Sequence, residues 1–190
     1  MTVQIARRLF NTSEYARMRQ SGILQEDDRV ELFDGEVRAM TPIGPLHAAI
    51  VKRLNILLTR RLAMSAIVSV QDPIQLNDHS ESQPDIAILR ARADYYATQH
   101  PGALDVYIVI EVADTSTDYD RDEKLPRYAE AGIAEAWLVD IDGQIIEQYT
   151  LPRHGHYLNL RRLEYGDEIS SPTLPIITLP VEEILGHQGN

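Results

Sequence analysis

Residues 108–128, IVIEVADTSTDYDRDEKLPRY, decide how this chain is read. Val106 to Ile110 is apolar at every position, the pattern of a strand buried on both faces. That strand ends on a carboxylate, Glu111. The chain then passes four aspartates, Asp114, Asp118, Asp120 and Asp122, and reaches Lys124. Strand alternation puts Glu111 on the same side as Tyr107 and Val109, at the edge of the core. A lone ionised carboxylate there costs at least ~2 kcal/mol unless something positive meets it. The segment from Tyr119 to Ala131 reads as a helix that Pro126 either kinks or begins. Asp120 and Lys124 stand four apart on it. As an exposed pair they would be worth only about 0.3–0.5 kcal/mol.

A second acid occupies a comparable place. Asp85, in QPDIAIL, opens another apolar strand. If the two strands are neighbours, both carboxylates point at one spot. Clustered oxygen donors of that kind suit a hard cation, Mg2+ or Mn2+. Taken singly, each acid reads as an ordinary strand end, and Asp85 as a cap of the turn after Pro84.

Around these two strands the pattern is mixed. NTSEYARMRQSG reads as a short helix with Thr12 or Ser13 as N-cap and Gly22 as the stop. RVELFDGEVRAM is two strands joined by Asp34-Gly35, the strongest short hairpin signal. LHAAIVKRLNILLTRRLAM is helical, with Ile50, Val51, Leu54, Leu57, Leu58 and Leu62 on one face. Short strands follow in AIVSVQDPIQL, PDIAIL and DVYIVIEV. AWLVDIDGQIIEQYT reads as a hairpin across Asp142-Gly143, and YLNLRRLEY as a further strand. The tail carries scattered prolines and a helical turn, VEEIL. This is an α/β or α+β domain: a central mixed sheet flanked by helices, with additional β-hairpins, and the helix after Leu46 covering one face.

Bulk properties bound the possibilities. The 190 residues show no repeat or linker and fit one domain, 1–190. With no cysteine there is no thiolate metal site, which suits a reducing cytoplasm. No apolar run reaches membrane-spanning length, and the amphipathic start is too polar for a secretory signal. The expectation is a cytoplasmic protein without a membrane. The net charge of −11 argues against a protein that coats nucleic acid over a broad basic surface. It leaves room for an enzyme whose acidic cleft fills with cations.

Taken together, VELFDGEVRAMTP, the histidine of GPLHAAIVKRL, PDIAIL, IVIEVADTS, YDRDEKLPRYAEAGI and EAWLVD resemble, in order and spacing, the Uma-two family. These are endonucleases of the PD-(D/E)XK superfamily, and the resemblance runs from about Glu31 to Asp140. It implies a restriction-endonuclease-like fold, Mg2+ or Mn2+ as cofactor, a DNA substrate and a homodimer. Asp85 matches the aspartate of the motif and Glu111 its second acid. The E-X-K pattern would place lysine at Ala113, and Lys124 is the matching substitute from the following helix. Asp85 and Glu111, with the carbonyl of Val112, would hold the cation. Lys124 would orient or deprotonate a water. Glu31 would complete a second metal shell or accept a proton. Asp120 stands behind these groups, and His47 either packs in the core or tethers a carboxylate such as Glu31.

For substrate contact, Arg53 and Arg60 share the helix face away from the core. They read either as a solvated surface or as a strip that tracks phosphates. Tyr95 and Tyr96 would pack or stack on bases. His79, His100, His154, His156 and His187 lack metal-ligand spacing and read as surface. An alternative keeps the fold without the turnover, as a nuclease-like module that binds nucleic acid or regulates. A glycosidase is poorly matched by 6% aromatic residues, and a serine hydrolase by the lack of a G-X-S-X-G elbow.

Overall fold

The computed structural model describes residues 7–25, 27–114 and 116–186. His187 and the first six residues, on which part of the sequence reading fell, lie outside them. Helix α1, Thr12–Gln20, begins one residue earlier than a Thr12 cap would set it and two earlier than a Ser13 cap. Asn11 is the cap: its side chain accepts the Glu14 N–H at 2.8 Å and Glu14 returns to the Asn11 N–H, a closed capping box. Strands β1, Val30–Phe33, and β2, Glu36–Ala39, form the expected hairpin. Asp34 and Gly35 turn it with φ of 50° and 80°. A Cβ on Gly35 would lie 2.6 Å from that of Leu9, so glycine is required twice over.

Helix α2 runs Pro45–Leu62, with proline in its first turn. Strands β3, Ala66–Val70, β4, Ile74–Asn77, β5, Ser80–Ser82, and β6, Ile86–Arg90, follow. After a 3-10 turn comes β7, Val106–Ala113. The chain then crosses through α3, Thr117–Tyr119, a π-helical turn, Asp120–Lys124, and α4, Leu125–Glu130, to β8, Glu135–Asp140. Strands β9, Ile145–Arg153, and β10, His156–Leu163, make the long hairpin. Strands β11, Glu168–Ser170, and β12, Thr178–Pro180, lead to α5, Val181–Leu185.

The central sheet has the order β10-β9-β8-β7-β6-β3. Only β7 and β8 are parallel, which is why the chain needs the helical crossover between them. One face, with Ile86, Ile88, Ile108, Ile110, Val112, Trp137 and Val139, packs under α2 and α5. The other, with Ala87, Val109, Ala113, Ala136 and Leu138, packs under α4. Being covered on both sides, β7 reads as a continuous apolar run. A bulge at Ile88/Leu89, where β6 meets β7, resets the alternation. Tyr107 therefore packs with the α2 layer and does not share a side with Val109 and Glu111, as simple alternation had it.

A second sheet, β2-β1-β5-β4, stands beside the first. Strands β5, β11 and β12 were not foreseen. At three residues each they are too short to show a period.

Candidate functional site

Five elements meet in one cleft of about 220 Å3. Glu31, His47, Asp85, Glu111, Val112, Asp120 and Lys124 all line it. Glu31 comes from β1, His47 from the first turn of α2, and Asp85 from the residue before β6. Glu111 and Val112 are consecutive on β7, so their side chains take opposite faces. Val112 enters the α2 layer and Glu111 the layer under the crossover helices. That is why an acid can end a buried strand: its face meets the crossover, where Lys124 waits.

The crossover is shaped for this. Pro126 sits in the first turn of α4 and has no N–H to extend the ladder back. Just before it the helix widens, with the Leu125 N–H reaching the Asp120 carbonyl, an i→i+5 bond. The wide turn buries Asp120 and Lys124 together, at 4% and 6% exposure, where an ordinary surface helix would leave their pair in solvent.

The Lys124 ammonium donates to Glu111 Oε1 at 3.2 Å and lies 3.8 Å from Asp120 and 3.9 Å from Glu31. Asp85 Oδ2 accepts the Val112 N–H at 2.9 Å and faces His47 Nε2 at 3.0 Å, while Oδ1 accepts from Gln71 at 3.1 Å. Glu31 Oε2 accepts from the Ser82 hydroxyl at 3.0 Å and the Gln83 N–H at 3.3 Å. Asp120 accepts from Ser116 at 2.7 Å. His47 thus tethers Asp85, not Glu31 as expected, because Ser82 and Gln83 already hold Glu31. Its other ring nitrogen, Nδ1, is buried without a partner among the described residues.

Burial pushes Glu111 up to about 8, against the pull of Lys124 and with help from Asp120 and Asp85. Asp120 is also raised by burial, with Lys124 opposing. Burial raises Asp85 too, but hydrogen bonds and charge from His47, then the Val112 N–H, hold it below the ordinary carboxylate value. Burial disfavours the Lys124 cation, yet Glu111, Glu31 and Asp120 outweigh that and raise it above the usual lysine range. Lys124 stays a donor.

A hydroxyl chain joins two of the acids. Tyr128 lies 2.5 Å from Glu111 Oε1 and 3.0 Å from Ser82, which lies 3.0 Å from Glu31. Three gaps share two hydroxyl protons. With Glu111 ionised, Tyr128 donates to its Oε1; all three gaps close only when an end carboxyl carries a third proton, a form that burial favours at Glu111.

Could these groups hold a hard cation? Among the described residues no three acids or histidines close on one point. Asp85, Glu111 and Val112 line the same cleft, and two carboxylates with a carbonyl are the sparse protein share that Mg2+ takes alongside its waters. Both donors to Glu111 reach Oε1, and no described residue bonds Oε2. The Ala113 carbonyl accepts the Ile141 N–H on the β8 side. Neighbouring residues of a strand face opposite edges, so the Val112 carbonyl turns to the Asp85 side with its N–H. Three acids around one ammonium are short of positive charge. The donors fit.

The basic strip is not assembled. Arg53 donates to the Leu185 carbonyl at 2.7 Å and closes the end of α5, so it holds the fold instead of facing solvent. Arg60 is exposed on α2, outside the cleft. Sequence reading missed Gln71, Ser82, Gln83 and Tyr128. Tyr128 had a signal, standing four residues after Lys124. Gln71 has φ of 56°, a strained setting common at functional sites but invisible in sequence.

A model of the Uma2 family, described as "Putative restriction endonuclease", matches residues 12–182. Among solved structures the fold matches that of a "putative nuclease belonging to DUF820" from Anabaena variabilis ATCC 29413. The TM-score is 0.74 with 15% identity, over 93% of this chain and 97% of that one. No curated protein matches. No helix among the described residues is long and apolar enough to cross a membrane.

Proposed function

The chain belongs to the Uma2 family, a family of putative restriction endonucleases, and from that premise we propose that its cleft hydrolyses phosphodiester bonds in DNA with Mg2+ or Mn2+ bound. The observation that carries this is the convergence of Asp85, Glu111 and Lys124 from three separate elements in one buried, acid-rich cleft. Asp85, Glu111 and the Val112 carbonyl would hold the cation. When bound, it neutralises charge on the phosphate and lowers the pKa of a coordinated water.

The chain's own groups do the rest. His47, Gln71 and the Val112 N–H fix the Asp85 carboxylate. Lys124, held protonated, aims its donors at the attacking water or at a phosphate oxygen, so orienting the water is its role and deprotonating it is not. Ser82 and Gln83 occupy one oxygen of Glu31. Its other oxygen would take the proton of the water as the new O–P bond forms. The P–O bond to the leaving strand breaks in the same displacement. A homodimer is part of this reading and rests on the family resemblance, and light scattering on the purified protein tests it.

Mg2+ and Mn2+ titrations by calorimetry, wild type against Asp85→Ala/Glu111→Ala, test the site. The expected result is loss of one binding event with the fold retained. Equal binding in both proteins, or none in either, overturns it. In a DNA cleavage assay, Lys124→Ala should fall about 100-fold or more. The enclosure of Lys124 by three acids favours one second reading, a nuclease-like module that binds nucleic acid or regulates without turnover. Binding of DNA with no cleavage in either metal would select it.

A further inference from the structure

A polyanionic strand entering this cleft must meet positive charge from the protein, and very little is on offer. Of the 18 lysines and arginines in the chain, two line the cleft, Lys124 and Arg29. Lys124 is enclosed by Glu111, Asp120 and Glu31. Arg38 stands opposite Glu31 in the β1–β2 ladder but turns to Glu36, Glu123 and Tyr119. Arg29 is different: it is exposed, and no described residue pairs with its guanidinium.

Its placement is fixed by the backbone. The Met40 N–H donates to the Arg29 carbonyl at 2.8 Å, which carries the hairpin one step beyond Val30↔Ala39. The Val30 N–H donates to the Asp28 carbonyl at 3.0 Å, so Arg29 is the centre of a tight turn just before β1, and both it and Glu31 line the cleft. Glu31 sits at the depth of the acids and Arg29 at the mouth. The loop of Thr41, Pro42 and Ile43, which follows Met40, lines the cleft as well.

Resting on the reading above, we infer that Arg29 is the phosphate-binding side chain of this cleft. It holds a phosphate that flanks the scissile one, by the planar two-donor contact that arginine makes with such groups. The strand therefore enters past β1, and the exposed arginines of α2 take no part.

Fluorescein-labelled duplex DNA is the probe. Affinity is read by anisotropy in Ca2+, which takes the same oxygen donors, and turnover in Mg2+. Wild type is compared with Arg29→Ala, Arg29→Lys and Arg153→Ala, the last removing an equal charge far from the cleft. Arg29→Ala should weaken binding about tenfold and lower the slope of log K against log salt by about 1. KM should rise more than kcat falls. Arg29→Lys should recover part of the affinity, and calorimetric Ca2+ binding should not move. Equal affinity and slope in wild type and Arg29→Ala overturns the assignment, as does an equal loss in Arg153→Ala. Wild type that binds but never cuts overturns the hydrolytic reading, and Arg29 is then judged by the affinities alone. No binding by any protein overturns both.

Discussion

Two glutamates are buried on the parallel strands of this sheet, and they are built in opposite ways. Glu135, at the start of β8, is completely covered. Trp137 and Gln148 donate to its Oε1 at 2.7 and 2.8 Å. Ser171 and the Thr173 N–H donate to its Oε2 at 2.7 and 3.2 Å. Four donors, two per oxygen, and no cation nearby make it an anchor that ties the β11–β12 segment to the sheet. Glu111 is as deeply placed, yet both its donors crowd one oxygen, its neighbours include Asp85 and Asp120, and it lines a cleft. Burial alone does not mark a site. What separates the two is whether the acceptor capacity is filled from within the fold.

The sharpest way to break this contrast is to remove each carboxylate. Glu135→Ala leaves an indole N–H, an amide and a hydroxyl unpaired in the interior and should cost about 3–5 kcal/mol. Urea unfolding measures it, and a loss under ~1 kcal/mol would mean that Glu135 anchors nothing. Glu111→Gln should do the reverse. The folded pKa of Glu111, about 8, lies above the ordinary 4.5, so between those values the folded state binds more protons than the unfolded. Stability therefore falls as pH rises through that window. The glutamine has no ionisation to lose. Relative to wild type it should gain of order 4 kcal/mol at about pH 9 and almost nothing below about pH 4. A flat difference between the two proteins would refute the assignment of the strain to Glu111.

Much of this was legible in the sequence, and the reasons differ by residue. Asp85 and Glu111 stood out because an acid at the edge of an apolar strand breaks its pattern. Asp34-Gly35 and the α2 stripe follow from local chemistry. Glu135 sits in EAWLVD at an equally odd place, yet its donors come from residues 137, 148, 171 and 173, and no local window shows that. The same holds for His47, whose carboxylate partner is 38 positions away, so Glu31 and Asp85 were equally open to it. The π-helical turn was hidden because nothing in the residues DRDEK distinguishes an i→i+5 bond from an i→i+4 one. Arg53 was misplaced because the helical turn it closes, VEEIL, ends 132 positions away, and no local window links the two.

A smaller effect sharpens the same comparison through cation binding. If Glu111 carries a proton in the cation-free protein, binding should expel it, since a ligating carboxylate must be ionised. Calorimetry with Mg2+ in buffers of different ionisation enthalpy should show release of about one proton per ion near pH 7, vanishing above about pH 9. Tyr128→Phe keeps the ring packing and removes the hydroxyl chain, so the proton release should shift in pH while the fold stands. Release that is zero at every pH would show Glu111 already ionised.

The smallest effect is the most discriminating, because it compares two serines that touch buried glutamates. Ser171 donates to Glu135 Oε2 at 2.7 Å and accepts the Leu174 N–H at 2.9 Å. Neither bond depends on a titrating group in the cleft, so Ser171→Ala should cost about 1–2 kcal/mol at every pH near neutrality. Ser82 lies between Tyr128 and Glu31. With Glu111 protonated, its proton passes to Tyr128, the tyrosine donates to Ser82, and Ser82 donates to Glu31, so the alanine loses two hydrogen bonds. With Glu111 ionised, Tyr128 donates to it, Ser82 still donates to Glu31, and no proton lies between the two hydroxyls. The alanine then loses one. Ser82→Ala should therefore cost about 1 kcal/mol more at pH 6 than at pH 9, while Ser171→Ala stays level. Parallel curves for the two variants would put Ser82 in the same class as Ser171, a packing donor, and would uncouple Glu31 from Glu111.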